Sequence, residues 1–227
     1  MSSPAGSFSD PQAVARYAEG PRRVVPGYAS LHRMVGLLIA ERAPASARVL
    51  VVGAGGGLEL RDLAHAHPGW TFDGVDPSAE MIDLARVTLG SLASRVELHH
   101  GRIGVAPPGP FDAATCLLTM HFLEQEERRA LATEARRRLA PGAPFVVVHL
   151  SLPQGTSERE RWLSRYAAFA VASGVEPDKA AAAREGIADR LPIVSPEVDE
   201  AILRDAGFDG VELFYAGFAF RGWVGHA

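Results

Sequence analysis

Arg48-Val-Leu-Val-Val-Gly-Ala-Gly-Gly-Gly-Leu-Glu-Leu60 is the stretch that decides the fold. Its first five residues form an apolar run without alternation, as expected of a strand buried on both faces. The glycines that follow let the backbone turn tightly and approach a ligand, and the helix beginning at Glu59 offers unpaired N–H groups at its start. Trp70 to Val75 reads as the next strand, and Asp76 ends it, nineteen residues after Gly57. An acid at that place can accept from both hydroxyls of a ribose. The bland reading of the same residues is a structural turn with an aspartate near a helix start.

Outward from this unit the pattern keeps alternating. Leu31, Met34, Val35, Leu38 and Ile39 mark an amphipathic helix before the first strand, stopped by Pro44. Ser78 caps a helix carrying Met81, Ile82, Ala85 and Leu89. Val96–His99 and Phe111–Leu118 read as strands, Glu124–Leu139 as a helix and Phe145–Leu150 as a strand. Ser157 and Glu160 have capping-box spacing and open a helix with Trp162, Tyr166 and Phe169; another covers roughly Asp178–Asp189. Ser195-Pro196 starts a last helix that Gly207 ends, before the strands Val211–Tyr215 and Ala219–Val224. The expected fold is α/β: a doubly wound, mostly parallel seven-stranded sheet with an antiparallel C-terminal hairpin. Residues 1–227 read as a single domain, with N-terminal helices over 10–43 and a helical lid over 156–192; Met1–Ser9 reads as a frayed end.

Composition narrows the function classes. A chain of 227 residues with 47% hydrophobic and 22% charged residues suits one globular domain. No apolar run spans a bilayer and no signal-peptide core is visible, so a cytoplasmic location without membrane association is expected. A net charge of −4 gives no global basic field, which argues against nucleic acid as a direct substrate and for a small molecule. Arg136–Arg138 reads as the solvated, cationic last turn of a helix. The single cysteine, Cys116, reads as a buried strand residue; with His99, His100 and His149 lacking ligand spacing, no metal site is expected.

A dinucleotide site would place its third glycine at position 58, which is Leu; the glycines stand at 53, 55 and 57. This G-x-G-x-G pattern resembles motif I of the class I, Rossmann-like S-adenosylmethionine-dependent methyltransferases, and the terminal hairpin resembles that family's closing strands. The resemblance implies S-adenosylmethionine as cofactor. Gly53, Ala54, Gly55 and Gly57 would line its methionine part and Asp76 would hold its ribose. Pro77 and Met81 would pack near the adenine, although Met81 equally suits a core position. Gly101, Arg102 and Ile103 would flank the adenine edge, and Leu117 to Thr119 would face the reactive sulfur. Two acids of the family pattern are missing, at Val51 and Arg102.

Longer stretches resemble the carboxy-S-adenosylmethionine synthases, a branch that serves tRNA wobble-uridine modification. They are Val25-Pro-Gly-Tyr28 with Met34–Arg42, Phe122-Leu-Glu124 with Glu127-Arg128, and Ala206-Gly-Phe208 with Glu212-Leu-Phe214 and Phe218-Ala-Phe220. That family joins a carboxylate from prephenate to the cofactor's methyl group. The resemblance implies carboxy-S-adenosylmethionine as the bound species, a homodimer, and a lid arginine gripping a carboxylate, here Arg184. Against it, Leu117 stands where that family has asparagine. Arg184 otherwise reads as an exposed helix arginine, and Tyr28 as either a pocket hydroxyl or a packing ring. His121, just past the fourth strand, is the candidate base and equally a helix-capping histidine. Three readings stand: a small-molecule methyltransferase, a carboxy-S-adenosylmethionine synthase, and a non-catalytic cofactor-binding protein.

Overall fold

The computed structural model describes residues 19–227. Met1–Ser9 and the beginning of the helical stretch expected over 10–43 lie outside them. In chain order the elements are α1 (Gly20–Val24), α2 (Tyr28–Ala40), β1 (Arg48–Val52), α3 (Leu58–Ala66), β2 (Thr71–Asp76), α4 (Ala79–Leu89), β3 (Val96–His100) and β4 (Ala113–Leu117). They continue as α5 (Gln125–Arg138), β5 (Pro144–Leu150), α6 (Thr156–Ala172), α7 (Pro177–Arg190), α8 (Pro196–Asp205), β6 (Asp209–Gly217) and β7 (Phe220–His226). Short 3-10 turns follow α4, β3 and β4. No described helix is long and apolar enough to cross a membrane.

The strands form one seven-stranded sheet in the order β3-β2-β1-β4-β5-β7-β6. The first five run parallel, while β7 inserts antiparallel between β5 and β6. β1 lies between β2 and β4, pairing Val52 with Val75 and Val49 with Ala113. Strand order reverses direction at β1 and β4, which opens a crevice at their C-terminal ends. The pleat sends alternate residues of β1 to opposite layers. Val49 and Val51 enter the core beneath α2 and α3, whereas Leu50 and Val52 enter the core shared with α5 and α8. Both layers therefore draw on one five-residue strand, hence its lack of alternation.

Local chemistry sets the helix ends. Ser78 Oγ accepts from the Met81 N–H at 3.2 Å, and Ser195 caps α8. Glu124 and Glu127 form a reciprocal capping box at the start of α5. Three expectations need correction. The cap expected at Ser157 is absent, because α6 already begins at Thr156 after Gly155, which provides no side-chain cap. The solvated arginine run is only partly solvated: Arg138 is buried, pairing with Glu134 and donating to the Ala106 carbonyl at 3.2 Å. In the lid, α6 reaches the crevice but α7 packs on the outside of α6.

Arg128 on α5 is fully buried and holds three elements together. It donates to Asp199 Oδ1 on α8 at 2.7 Å, to the Pro192 carbonyl at 2.7 Å and to the Leu123 carbonyl at 3.0 Å. His149 of β5 lies 3.0 Å from the second Asp199 oxygen, off hydrogen-bond geometry. Burial would raise the Asp199 pKa, but His149 and Arg128 outweigh it and hold the carboxyl ionised below its ordinary range.

The loop after β1 depends on a residue without a side chain. Gly53 has φ of +75°, and a Cβ there would sit 2.0 Å from the Thr119 hydroxyl. Gly57, at φ of +81°, packs its backbone on Ala85 of α4.

Two outcomes follow from these contacts. Asp199→Ala leaves a buried guanidinium without its counter-charge and should destabilise the fold by about 3–5 kcal/mol in urea unfolding. Gly53→Ala should cost roughly 1–3 kcal/mol from the left-handed backbone alone, read as a lowered melting midpoint, with Thr119 displaced as well.

Candidate active site

Asp76 ends β2 and is buried against the glycine loop. Its Oδ2 accepts from the Gly55 N–H at 2.9 Å and its Oδ1 from the Ser78 N–H at 2.9 Å. An ionised carboxylate has about four acceptor positions, so each oxygen keeps one for a further donor. Burial raises the Asp76 pKa, while the bonds from Ser78 and Gly55 pull it back.

Beside this carboxylate opens a cavity of about 1220 Å³, walled by the C-terminal ends of β1, β2 and β4, by Pro21 to Val25 around α1, and by Tyr166 of α6 and Phe220 of β7. Ligand sites usually run to about 300–1,000 Å³, so the space admits a nucleoside cofactor and a second small molecule together. Of the residues singled out in the sequence, Gly53, Gly55, Asp76, Pro77, Met81, Gly101, Arg102, Ile103 and His121 line it. Met81 is only 2% exposed, so the core and cavity readings of it coincide. Leu118, at the end of β4, adopts φ of +56°, a conformation that side chains rarely tolerate, and it lines the cavity with Thr119.

Other expected site residues lie elsewhere. Gly57 faces α4 instead of the cavity. Ala54, Leu117 and Tyr28 line a much smaller chamber behind the glycine loop. Arg184 is exposed on α7 and does not line the cavity, because α7 stands behind α6. Arg102 lines the rim with its side chain turned to solvent, donating to Glu127 at 2.7 Å.

His121 is buried and accepts the Leu150 N–H on its Nδ1 at 3.3 Å, which assigns the ring proton to Nε2. Burial, with His149 and Arg128 nearby, holds its pKa well below 6.5 against the opposing pull of Asp199. A neutral ring with its lone pair already engaged is a hydrogen-bond donor, which does not fit the general base expected from the sequence. Cys116 is buried, and burial with Glu59 nearby raises its pKa, which keeps it a neutral thiol. Asp73, Glu97 and His99 bring donor atoms together at the sheet edge. Arg48 and His99 already contact the two Asp73 oxygens at 2.8 and 2.9 Å.

Several contributors had little or no signal in the sequence. Tyr166 and Phe220 reach the cavity only through tertiary packing. Their ring centroids are 6.2 Å apart, and burial raises the Tyr166 pKa to about 12, which keeps its hydroxyl protonated. Glu59, which the sequence marks only as a helix start, is buried at 7% exposure in the first turn of α3.

Comparison with known proteins agrees with this geometry. Residues 49–142 match a family described as a methyltransferase domain. The carboxy-S-adenosyl-L-methionine synthase of Chromohalobacter salexigens is 27% identical over 219 residues, covering 95% of this chain and 81% of the relative. Among solved structures, the pyocyanin biosynthetic protein PhzM superposes with a TM-score of 0.71 at 17% identity, over 99% of this chain and 62% of its own. A SAM-dependent methyltransferase from Aquifex aeolicus gives 0.64 at 18% identity, over 96% of this chain and 98% of its own. The chain thus spans less than two thirds of the length of PhzM and most of the other two. Sheet order, glycine loop, domain match and structural neighbours agree: the chain has the fold of the class I S-adenosylmethionine-dependent methyltransferases, with a methyltransferase-domain match over residues 49–142.

Proposed function

We propose that the chain transfers a methyl group from S-adenosylmethionine to a neutral or cationic small molecule held in the same cavity. The charge of the wall carries this reading. Asp76, Glu80, Glu124, Glu127 and Glu134 line the cavity, and among the described residues its one guanidinium is Arg102, already paired with Glu127. Such a wall favours a cationic cofactor and disfavours a polyanionic acceptor.

The residues fit the cofactor. Asp76 has acceptor capacity left for two ribose hydroxyls, and Gly53 and Gly55 present bare backbone along the cavity wall beside it. When bound, S-adenosylmethionine supplies an activated methyl group and a thioether leaving group, so the protein mainly has to align the nucleophile and exclude water. In this reading Pro77, Met81 and Ile103 hold the adenine, and Leu118 and Thr119 pack at the transfer end. His121 orients the acceptor by donating from Nε2, and Tyr166 and Phe220 shut out water. No general base is assigned, which suits an acceptor that is nucleophilic or deprotonated at neutral pH.

A second reading, carboxy-S-adenosylmethionine synthesis, is favoured by the names of the relatives that cover most of the chain. It would require a cation for prephenate's carboxylates, a role for which the exposed Arg184 was the sequence candidate.

Mass spectrometry of the nucleoside that co-purifies with the protein separates the two. S-adenosylmethionine or S-adenosylhomocysteine is expected, and carboxy-S-adenosylmethionine would replace the first reading with the second. Asp76→Ala should weaken S-adenosylhomocysteine binding by about tenfold or more in calorimetry, since hydrogen bonds to a charged group contribute roughly 1.5–3 kcal/mol each. Unchanged affinity would remove the ribose from this position. In the parent protein, affinity should fall on acidification as Asp76 protonates, beginning above the ordinary aspartate pKa of about 3.9 because burial raises this group.

A further inference from the structure

Behind the glycine loop lies a chamber of about 20 Å³, bounded by Tyr28, His32, Glu59 and Leu117 and sharing Gly53 and Leu118 with the main cavity. Space of that size holds one water-sized group. Glu59 is 7% exposed, and its Oε1 is buried without a hydrogen-bond partner. The Thr115 hydroxyl stands close enough to favour the ionised carboxylate but off hydrogen-bond geometry. His32 turns its Nδ1 to Asp62 at 2.8 Å, and Arg61 also pairs with Asp62, so neither side chain hydrogen-bonds Glu59 Oε1. Buried polar atoms are nearly always partnered, so an unpartnered carboxylate oxygen at the wall of this chamber calls for a donor there.

We propose that Glu59 is the counter-charge for the α-ammonium of the cofactor's amino-acid end, received in this chamber past Gly53 and Leu118. The assignment rests on the cofactor reading above and extends it to a residue outside the glycine motif. The ammonium suits the chamber in three ways: it is water-sized, it is cationic, and it brings three N–H donors to the unpartnered Glu59 Oε1. Position agrees as well. Asp76 and Glu59 lie on either side of the glycine loop, one toward the ribose end of the cavity and the other behind Gly53 and Ala54. Burial raises the Glu59 pKa while His32 lowers it. A cation seated beside the carboxylate would stabilise its ionised form, so the group suits an occupied chamber better than an empty one.

Calorimetry on the full chain with two probes tests this: S-adenosylhomocysteine, and its deaminated analogue carrying hydrogen in place of the α-amino group. The parent protein should prefer the amino compound by about tenfold or more. Glu59→Gln, which keeps the shape and removes the charge, should erase that preference and leave affinity for the deaminated analogue within about twofold. Equal binding of both probes by the parent protein would overturn the proposal without any variant, pointing to a buried water as the occupant. A parallel loss of both probes in Glu59→Gln would overturn it too, since Glu59 would then be supporting the loop and not reading the ammonium. If the parent bound neither probe, the cofactor reading would fail and the proposal with it, an outcome distinct from the other two.

Discussion

The Asp76 carboxylate is the constraint on which the rest of the site depends. One oxygen fixes Gly55 of the loop after β1, and the other fixes Ser78 at the start of α4. A single side chain at the end of β2 therefore positions both crossovers that frame the crevice. The same group is poised to accept from a ribose, so loop geometry and ligand recognition draw on one carboxylate. The rule that ligands sit at the carboxyl ends of parallel strands has a specific cause here, because strand order reverses at β1 and β4 and two N–H groups are already aimed at Asp76.

A second constraint acts from the other layer. Arg128, Asp199 and His149 lie buried between α5, α8 and β5, and His121 borders them while facing the cavity. Burying such charges favours stability only weakly even when they are well paired. Their value in this fold is positional: the Arg128 bonds to Leu123, Pro192 and Asp199 tie the turn after β4 to the segment leading into α8. The acceptor end of the cavity is thus held by a polar frame, and the cofactor end by glycine and backbone.

Much of the fold was legible because its signals are local. β1 shows as an unbroken apolar run, α8 is bracketed by Ser195-Pro196 and Gly207, and Ser78 caps α4 as its spacing implies. Around the cavity, Gly53, Gly55 and Asp76 were legible because positive φ and the strand-end acid leave residue-type marks. Side chains whose surroundings are set by distant chain were not. Arg138 looks like any helix-end arginine until Ala106 closes over it. Arg184 looks like a lid residue until α7 is seen behind α6. Glu59 looks like an ordinary first-turn acid favoured by the helix dipole, and nothing in its neighbours in sequence reveals the chamber formed by His32 and Leu117.

Cys116 has a practical bearing on how this molecule can be studied. It is the chain's one cysteine, fully buried on β4, with a thiol that burial keeps protonated. Thiol-directed spin labels and fluorophores react through the thiolate, so the native protein is already a silent background for them. A cysteine placed near Pro21 and another at the exposed Arg102, both on the cavity wall, would be the addressable pair. Distances across the mouth of the cavity could then be followed in solution with the native cysteine left in place.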